Sequence, residues 1–387
     1  MTPRSLVAAA LFAGAASASL DACGPAPTPD TAPDIFRVAV NGLPGGALLS
    51  VYGDAAAGRA YLAGGYVGVD ASRLGAEPAG RMLVYTGRGA FHTACTASSV
   101  LWWTAPVDGA PMAAGEGGRI VRLREGGACD VVPTGLSFAE GDPTYWGFVQ
   151  WRGATWFVGG SARPDGPKGV LVRWDGRTFS RLDVPAAARA LNLYKIDVHA
   201  GSELVVVGEG GMSFTVTDAA TTVLPTNLGT TDSRLFTVSC GASDCWAVGG
   251  VNNGIVLRGY APGGDAGLVW NPALVPSAGG WNGVWVADPN NVFIVGGAGQ
   301  TMHTNGSVSF LPRSLTPATL HGVGGWAPGG SGASAVVLAV GGELGTADPS
   351  QRAVILVRND DSAAFTVDGR SFMPAGQLRR TLGGFGQ

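Results

Sequence analysis

Three observations predict an all-β chain made of one four-strand unit repeated seven times. First, seven short apolar segments each run into a glycine: Gly64, Gly115, Gly159, Gly208, Gly249, Gly296 and Gly341. Second, the steps between those glycines are roughly 51, 44, 49, 41, 47 and 45 residues, a blade-sized period. Third, turn residues punctuate the spaces between, and no long capped run of 3.6-residue periodicity follows the N-terminal segment. A sheet with two apolar faces is unstable alone and stable when stacked around an axis. The prediction is therefore a seven-bladed β-propeller of four-stranded antiparallel blades.

The unit reads as four strands in order. The first is rich in aromatic and β-branched residues and falls at 48–52, 101–104, 145–150, 193–198, 235–239, 281–286 and 320–324. A turn follows, clearest at Asp288-Pro289-Asn290-Asn291, where proline presets φ and asparagine tolerates left-handed backbone. The second strand is the segment that ends in glycine. A bend or close backbone approach there leaves no room for a Cβ. The third strand falls at 81–85, 119–123, 170–174, 212–216, 255–258, 301–303 and 353–357. Hairpin signals come next, such as Asp175-Gly176, Asn305-Gly306 and Gly126-Gly127. A more polar fourth strand, as at 178–182 or 307–311, fits the solvent-facing edge. Ring closure has two candidates: residues 36–40 pairing with the last blade, or residues 364–372 within their own blade.

Composition bounds the function. Of 387 residues, 46% are hydrophobic and only 14% charged, enough to bury a large core. Net charge is −3, lysine occurs only at 168 and 195, and no basic run is present, so nothing suggests a nucleic-acid binder. Residues 6–18 form an alanine-rich apolar stretch behind Arg4, too short to span a bilayer as a mature helix. Residues 1–22 are read as a signal peptide. Leu20-Asp21-Ala22-Cys23 resembles a bacterial lipobox, which makes Cys23 the lipidation site, although Asp21 departs from that pattern. Ala16-Ser17-Ala18 is the competing, ordinary cleavage site. Residues 23–34, rich in proline, read as a tether, residues 35–372 as the propeller, and residues 373–387 as a flexible tail.

The other four cysteines form two expected disulfides, as an oxidising compartment allows. Cys240 and Cys245 flank a turn and would close a hairpin. Cys95 and Cys129 would close a longer loop. Neither pair has the spacing of a redox or zinc motif.

The apolar strand followed by Gly-Gly, with Trp174 and Trp270 as candidate later aromatics, resembles the repeats of kelch and related secreted bacterial β-propellers. The likeness covers about residues 45–372. It implies a fold and carries over no catalytic residue.

Candidate chemistry is sparse. His92, His199, His303 and His321 fall at different beats of the repeat, so no metal or cofactor site is expected. Trp102, Trp103, Trp151, Trp156, Trp246 and Trp285 are read as packing between blades, and Tyr145-Trp146 is kept open as a binding pair. Three loops after the second strand are long: 66–80, 161–169 and 343–351. On a closed ring they share one rim, which makes Tyr66, Asp70, Arg73, Glu77, Arg163, Asp165, Lys168, Glu343, Asp348 and Arg352 the candidate binding residues. The expectation is an exported, lipid-anchored, monomeric binding or scaffolding module of the cell envelope, with a protein or glycan ligand and no cofactor. The competing class is a propeller enzyme (lyase, hydrolase or quinone-dependent dehydrogenase). It requires groups such as Glu140, Asp142, His199, His321 and Glu343 to gather at one mouth of the channel.

Overall fold

The structure, a computed structural model, describes residues 36–124, 127–217, 221–223, 233–260, 268–273, 275, 279–344 and 351–372. The signal segment, the tether with Cys23, the C-terminal tail, Gly126 and Asp348 lie outside the described residues.

Each repeat folds into one antiparallel sheet, giving seven sheets, six of four strands and one of five. The chain runs outward through each blade. In blade 3 the order is Thr144–Trp151, Ala154–Gly160, Val170–Trp174 and Phe179–Arg181. The first strands of successive blades lie against one another all the way round, and Leu320–Trp326 of blade 7 meets Ala47–Asp54 of blade 1. Burial explains the sequence pattern. Every residue of Ala154–Gly160 is buried, because neighbouring blades cover both faces. The outermost Phe179–Arg181 keeps only Phe179 buried. The apolar clusters accordingly bridge blades: Trp156, Val158 and Leu171 of blade 3 pack with Ile196, Leu204, Val206 and Phe214 of blade 4.

Closure uses both candidate segments. Arg37–Pro44 pairs antiparallel with Arg352–Arg358 and becomes the outer strand of blade 7. That takes the free edge of the last blade. Thr366–Val367 therefore does not pair within its own blade. It adds in parallel to Ala90–Ala97, the outer strand of blade 1, as that sheet's fifth strand. The seam is narrow. A Cβ on Gly53 would lie 1.8 Å from the Gly325 carbonyl oxygen, so the two inner strands approach in a way only glycine permits. Among the described residues the only α-helical turn is Ala71–Leu74, in the long loop of blade 1, beside a few three-residue 3-10 turns.

Both disulfides form, Cys95–Cys129 and Cys240–Cys245. The second closes the hairpin between Leu235–Cys240 and Asp244–Gly249. The first joins the outer strand of blade 1 to that of blade 2, Cys129–Val131, so it staples neighbouring blades together. With its ends 34 positions apart it restricts the unfolded chain by up to about 4 kcal/mol, against about 2 for the hairpin bond.

The repeated glycine has one physical cause in all seven blades. A Cβ built on any of them would lie 1.7–2.4 Å from the carbonyl oxygen of the residue that precedes the glycine's partner on the blade's first strand. At Gly159 the contact is Thr144 O at 2.2 Å. Gly159→Ala is expected to cost about 3 kcal/mol, the upper end for overpacking, in a urea unfolding titration. Gly279→Ala meets nothing within 4 Å and should unfold like the wild type.

Candidate functional site

The same glycines set up the site. In every blade the first strand shows a register shift just after the residue that faces the glycine, as between Tyr145 and Gly147 or between Leu193 and Lys195. One extra residue is thereby pushed out of the ladder, a β-bulge. The seven extra residues are Leu49, Trp102, Trp146, Tyr194, Phe236, Asn282 and His321. All seven line one cavity of about 630 Å³ at the mouth of the central channel. That volume lies in the range of small-ligand and peptide side-chain sites.

The ring is chemically lopsided. Trp146 meets Tyr194 edge-on with centroids 5.3 Å apart, and Tyr194 meets Phe236 at 5.7 Å. With Trp102 and Leu49 they form an apolar arc over blades 1–5. Asn282 and His321 place the polar groups on blades 6 and 7. Asn282 donates Nδ2–H to Leu320 O at 2.9 Å. His321 Nε2 lies 2.9 Å from Gly342 O, an acceptor, so that nitrogen carries the proton and Nδ1 is left to accept. Burial lowers the His321 pKa to about 4 against the help of that bond, so the ring is neutral at physiological pH.

Two charged side chains share the cavity. Glu116, one residue past Gly115, accepts from Trp102 Nε1 at 3.3 Å, and burial raises its pKa despite that bond. Lys195 follows the bulge residue Tyr194. It is 7% exposed. Its Nζ donates to Trp146 O at 2.8 Å and stands 3.7 Å from the centre of the Trp103 ring. Among the described residues its ammonium takes part in no ion pair, and burial lowers its pKa to about 7.

The three long loops do reach this mouth, but through apolar or small residues: Val67 and Gly68, Ala162, and Leu344. None of the described charged candidates lines the cavity. Tyr66 is buried, with its hydroxyl accepting from Gly45 N at 3.1 Å, so it belongs to the fold rather than to the rim. Asp70 caps the Ala71–Leu74 turn by accepting from Ser72 N, and that bond lowers its pKa. Arg73, Glu77, Asp165 and Glu343 are exposed. Arg163 donates to Glu140 O at 3.4 Å. Lys168 is turned inward to Ser161 O and Asn192 Oδ1. Arg352 donates to Gln351 O at 3.0 Å. Solvated charges and loop-internal bonds explain why these groups leave the mouth to their neighbours.

The groups an enzyme would need stand apart. His199 pairs with Glu203, four residues on across its own hairpin. His321 pairs with a backbone carbonyl, and no hydrogen bond joins any two of Glu140, Asp142, His199, His321 and Glu343. His303 is buried, stacked on Phe293. The tryptophans divide. Trp151, Trp156 and Trp246 pack between blades, as expected, whereas Trp102 and Trp146 face the channel. The Tyr145-Trp146 pair splits accordingly, with Tyr145 in the core against Phe157. A sequence signal for the bulges was present. Leu48-Leu49, Leu101-Trp102, Tyr145-Trp146, Leu193-Tyr194 and Leu235-Phe236 are adjacent large side chains at one position of the repeat. A period-two strand cannot bury both members of such a pair on one face.

No family model and no curated protein matches this chain. Solved structures do match it. YCF48 bound to a D1 peptide is 15% identical, with TM-score 0.57 over 87% of this chain and 99% of that one. YCF48 from Cyanidioschyzon merolae is 12% identical, with TM-score 0.55 over 84% and 98%. The WD40 β-propeller domain of Doa1 is 11% identical, with TM-score 0.55 over 86% and 100%. At these identities the likeness is one of fold.

Lys195 yields a pH prediction. Its folded pKa, about 7, lies below its ordinary 10.5, so between those values the unfolded chain binds more protons than the folded one. Stability from this residue therefore rises with pH across that window. Lys195→Met keeps the stem against Trp103 and removes the buried charge. Its Tm at pH 7 should exceed that of the wild type, and the rise between pH 7 and 10 should flatten in thermal melts.

Proposed function

We propose that this protein is an exported, lipid-anchored, non-catalytic β-propeller that captures a protein ligand by seating an apolar segment in the channel-mouth cavity. The observation that carries this reading is the ring of seven bulge side chains, five of them apolar or aromatic, around one cavity. Aromatic rings in contact offer a large apolar surface at little entropic cost, and the few polar groups beside them fix orientation. YCF48, a propeller of the same fold, is described bound to a peptide, which supports a protein ligand over a glycan. The two disulfides support export, since such bonds persist in oxidising compartments. The kelch-like repeat and the lipobox-like Leu20-Asp21-Ala22-Cys23 support an envelope lipoprotein.

A panel of fluorescein-labelled apolar peptides read by anisotropy tests the site. Binding should drop about tenfold or more in Trp146→Ala/Phe236→Ala, the loss expected for two aromatic anchors. It should persist in Arg73→Ala/Glu77→Ala/Arg352→Ala. The reverse pattern would move the site to the charged loops. Anchoring is tested by mass spectrometry of the mature protein from envelope fractions. A lipidated N-terminal Cys23 is expected, and a chain starting at Ser19 would make the protein freely secreted.

A further inference from the structure

We propose that Lys195 is the anchor for a single carboxylate on the apolar ligand of the channel-mouth cavity. The inference rests on the functional reading above and specifies its chemistry. Lys195 is buried in the cavity wall, and its ammonium has three N–H donors. One goes to Trp146 O, and the face of Trp103 lies beneath. Among the described residues no carboxylate pairs with it, and its other two donors have no acceptor. A buried cation left in this state is costly, and an anion entering the cavity relieves that cost.

The surroundings narrow the anion. One lysine supplies one positive charge, and Glu116 stands in the same cavity. A dianion such as a phosphate monoester would carry an uncompensated charge into an apolar site beside that carboxyl. A carboxylate brings one charge and two acceptor oxygens. Lys195 can meet it with its free donors, and Asn282 has a further N–H beyond the one given to Leu320 O. The aromatic arc Trp146, Tyr194 and Phe236 borders Lys195, so the group attached to the carboxylate is apolar. A free aromatic or aliphatic acid and the C-terminal end of an apolar peptide share this chemistry.

Isothermal titration calorimetry at pH 6.5 on the full chain separates the cases. The probes are 4-phenylbutyrate against 4-phenylbutanol, and N-acetyl-Leu-Phe with a free C-terminus against its C-terminal amide. The wild type should bind at least one acid more tightly than its neutral partner. Which acid is held more tightly identifies the source as a free acid or a chain end. Lys195→Met should weaken acid binding about ten- to hundredfold, the range for a charge-assisted bond, and Lys195→Arg should recover part of it. Unchanged binding of the neutral probes to Lys195→Met shows that the cavity is intact. Equal affinity of acid and neutral probes, no effect of Lys195→Met, or parallel loss of both probe types would overturn the carboxylate assignment and leave the cavity as a binding site. Silence from all four probes would overturn the cavity reading itself.

Discussion

The structure depends on one contact, made seven times. The carbonyl of the residue before the glycine's partner on each inner strand presses against the repeated glycine of the second strand, at a distance no Cβ survives. With that carbonyl fixed, the next residue pairs with the glycine and the one after it is displaced from the ladder. The glycine and the bulge are two sides of one local geometry. Blade spacing, entry to the sheet and the ring of side chains around the channel all follow from it.

This is why the repeat was legible in the sequence and the site was not. Glycine at a close approach is chemically irreplaceable, so it marks the period. The bulge residue is under no such constraint. Its backbone is dictated, but its side chain lines the cavity at the channel mouth, where residues as different as Leu49, Trp102, Asn282 and His321 are accommodated. A reader following hydrophobicity places Trp102 among the packing tryptophans and keeps Tyr145 and Trp146 together as a pair, because strand alternation is assumed to continue. It is interrupted by one residue, and everything after that residue changes face. The charged loops misdirect for a different reason. Charge in a loop is most often solvated or paired locally, as Asp70 and Lys168 are, and says little about what the loop's neighbouring residues touch.

Closure of the ring shows the same division between what pattern specifies and what geometry decides. Both terminal segments of the propeller have β character. The N-terminal strand 37–44 reaches the last blade first in the topology and takes its edge, burying Ala39, Val40 and Leu43 in the cluster that joins blades 7 and 1. The C-terminal strand must then use the next open edge, on blade 1, where Phe365 and Val367 enter the same cluster. Glycines at 53 and 325 draw the inner strands of that junction together, while Cys95–Cys129 ties blade 1 to blade 2 on the outside. The one junction not continuous in sequence is thus held at its inner strands and its core, and on its outer side by Thr366–Val367 pairing with the outer strand of blade 1.

A scaffold of this kind separates stability from specificity. The residues that hold the ring are the glycines and the apolar faces between blades. The residues that line the channel-mouth cavity are the bulge side chains and, in blades 4 and 5, the residue that follows the bulge, Lys195 and Thr237. Substitution at the second set leaves the first untouched, so the seven positions are free to diverge into an apolar arc on one side and hydrogen-bonding groups on the other. Lys195 is the exception that shows the division at work. Its position is occupied by Gly147 in blade 3 and Gly283 in blade 6, which shows that the fold has no need of a side chain there. Burying an ammonium with one carbonyl and one aromatic face for company weakens the folded state. A side chain that the fold does not require and that costs it stability is one whose presence is accounted for by what enters the cavity.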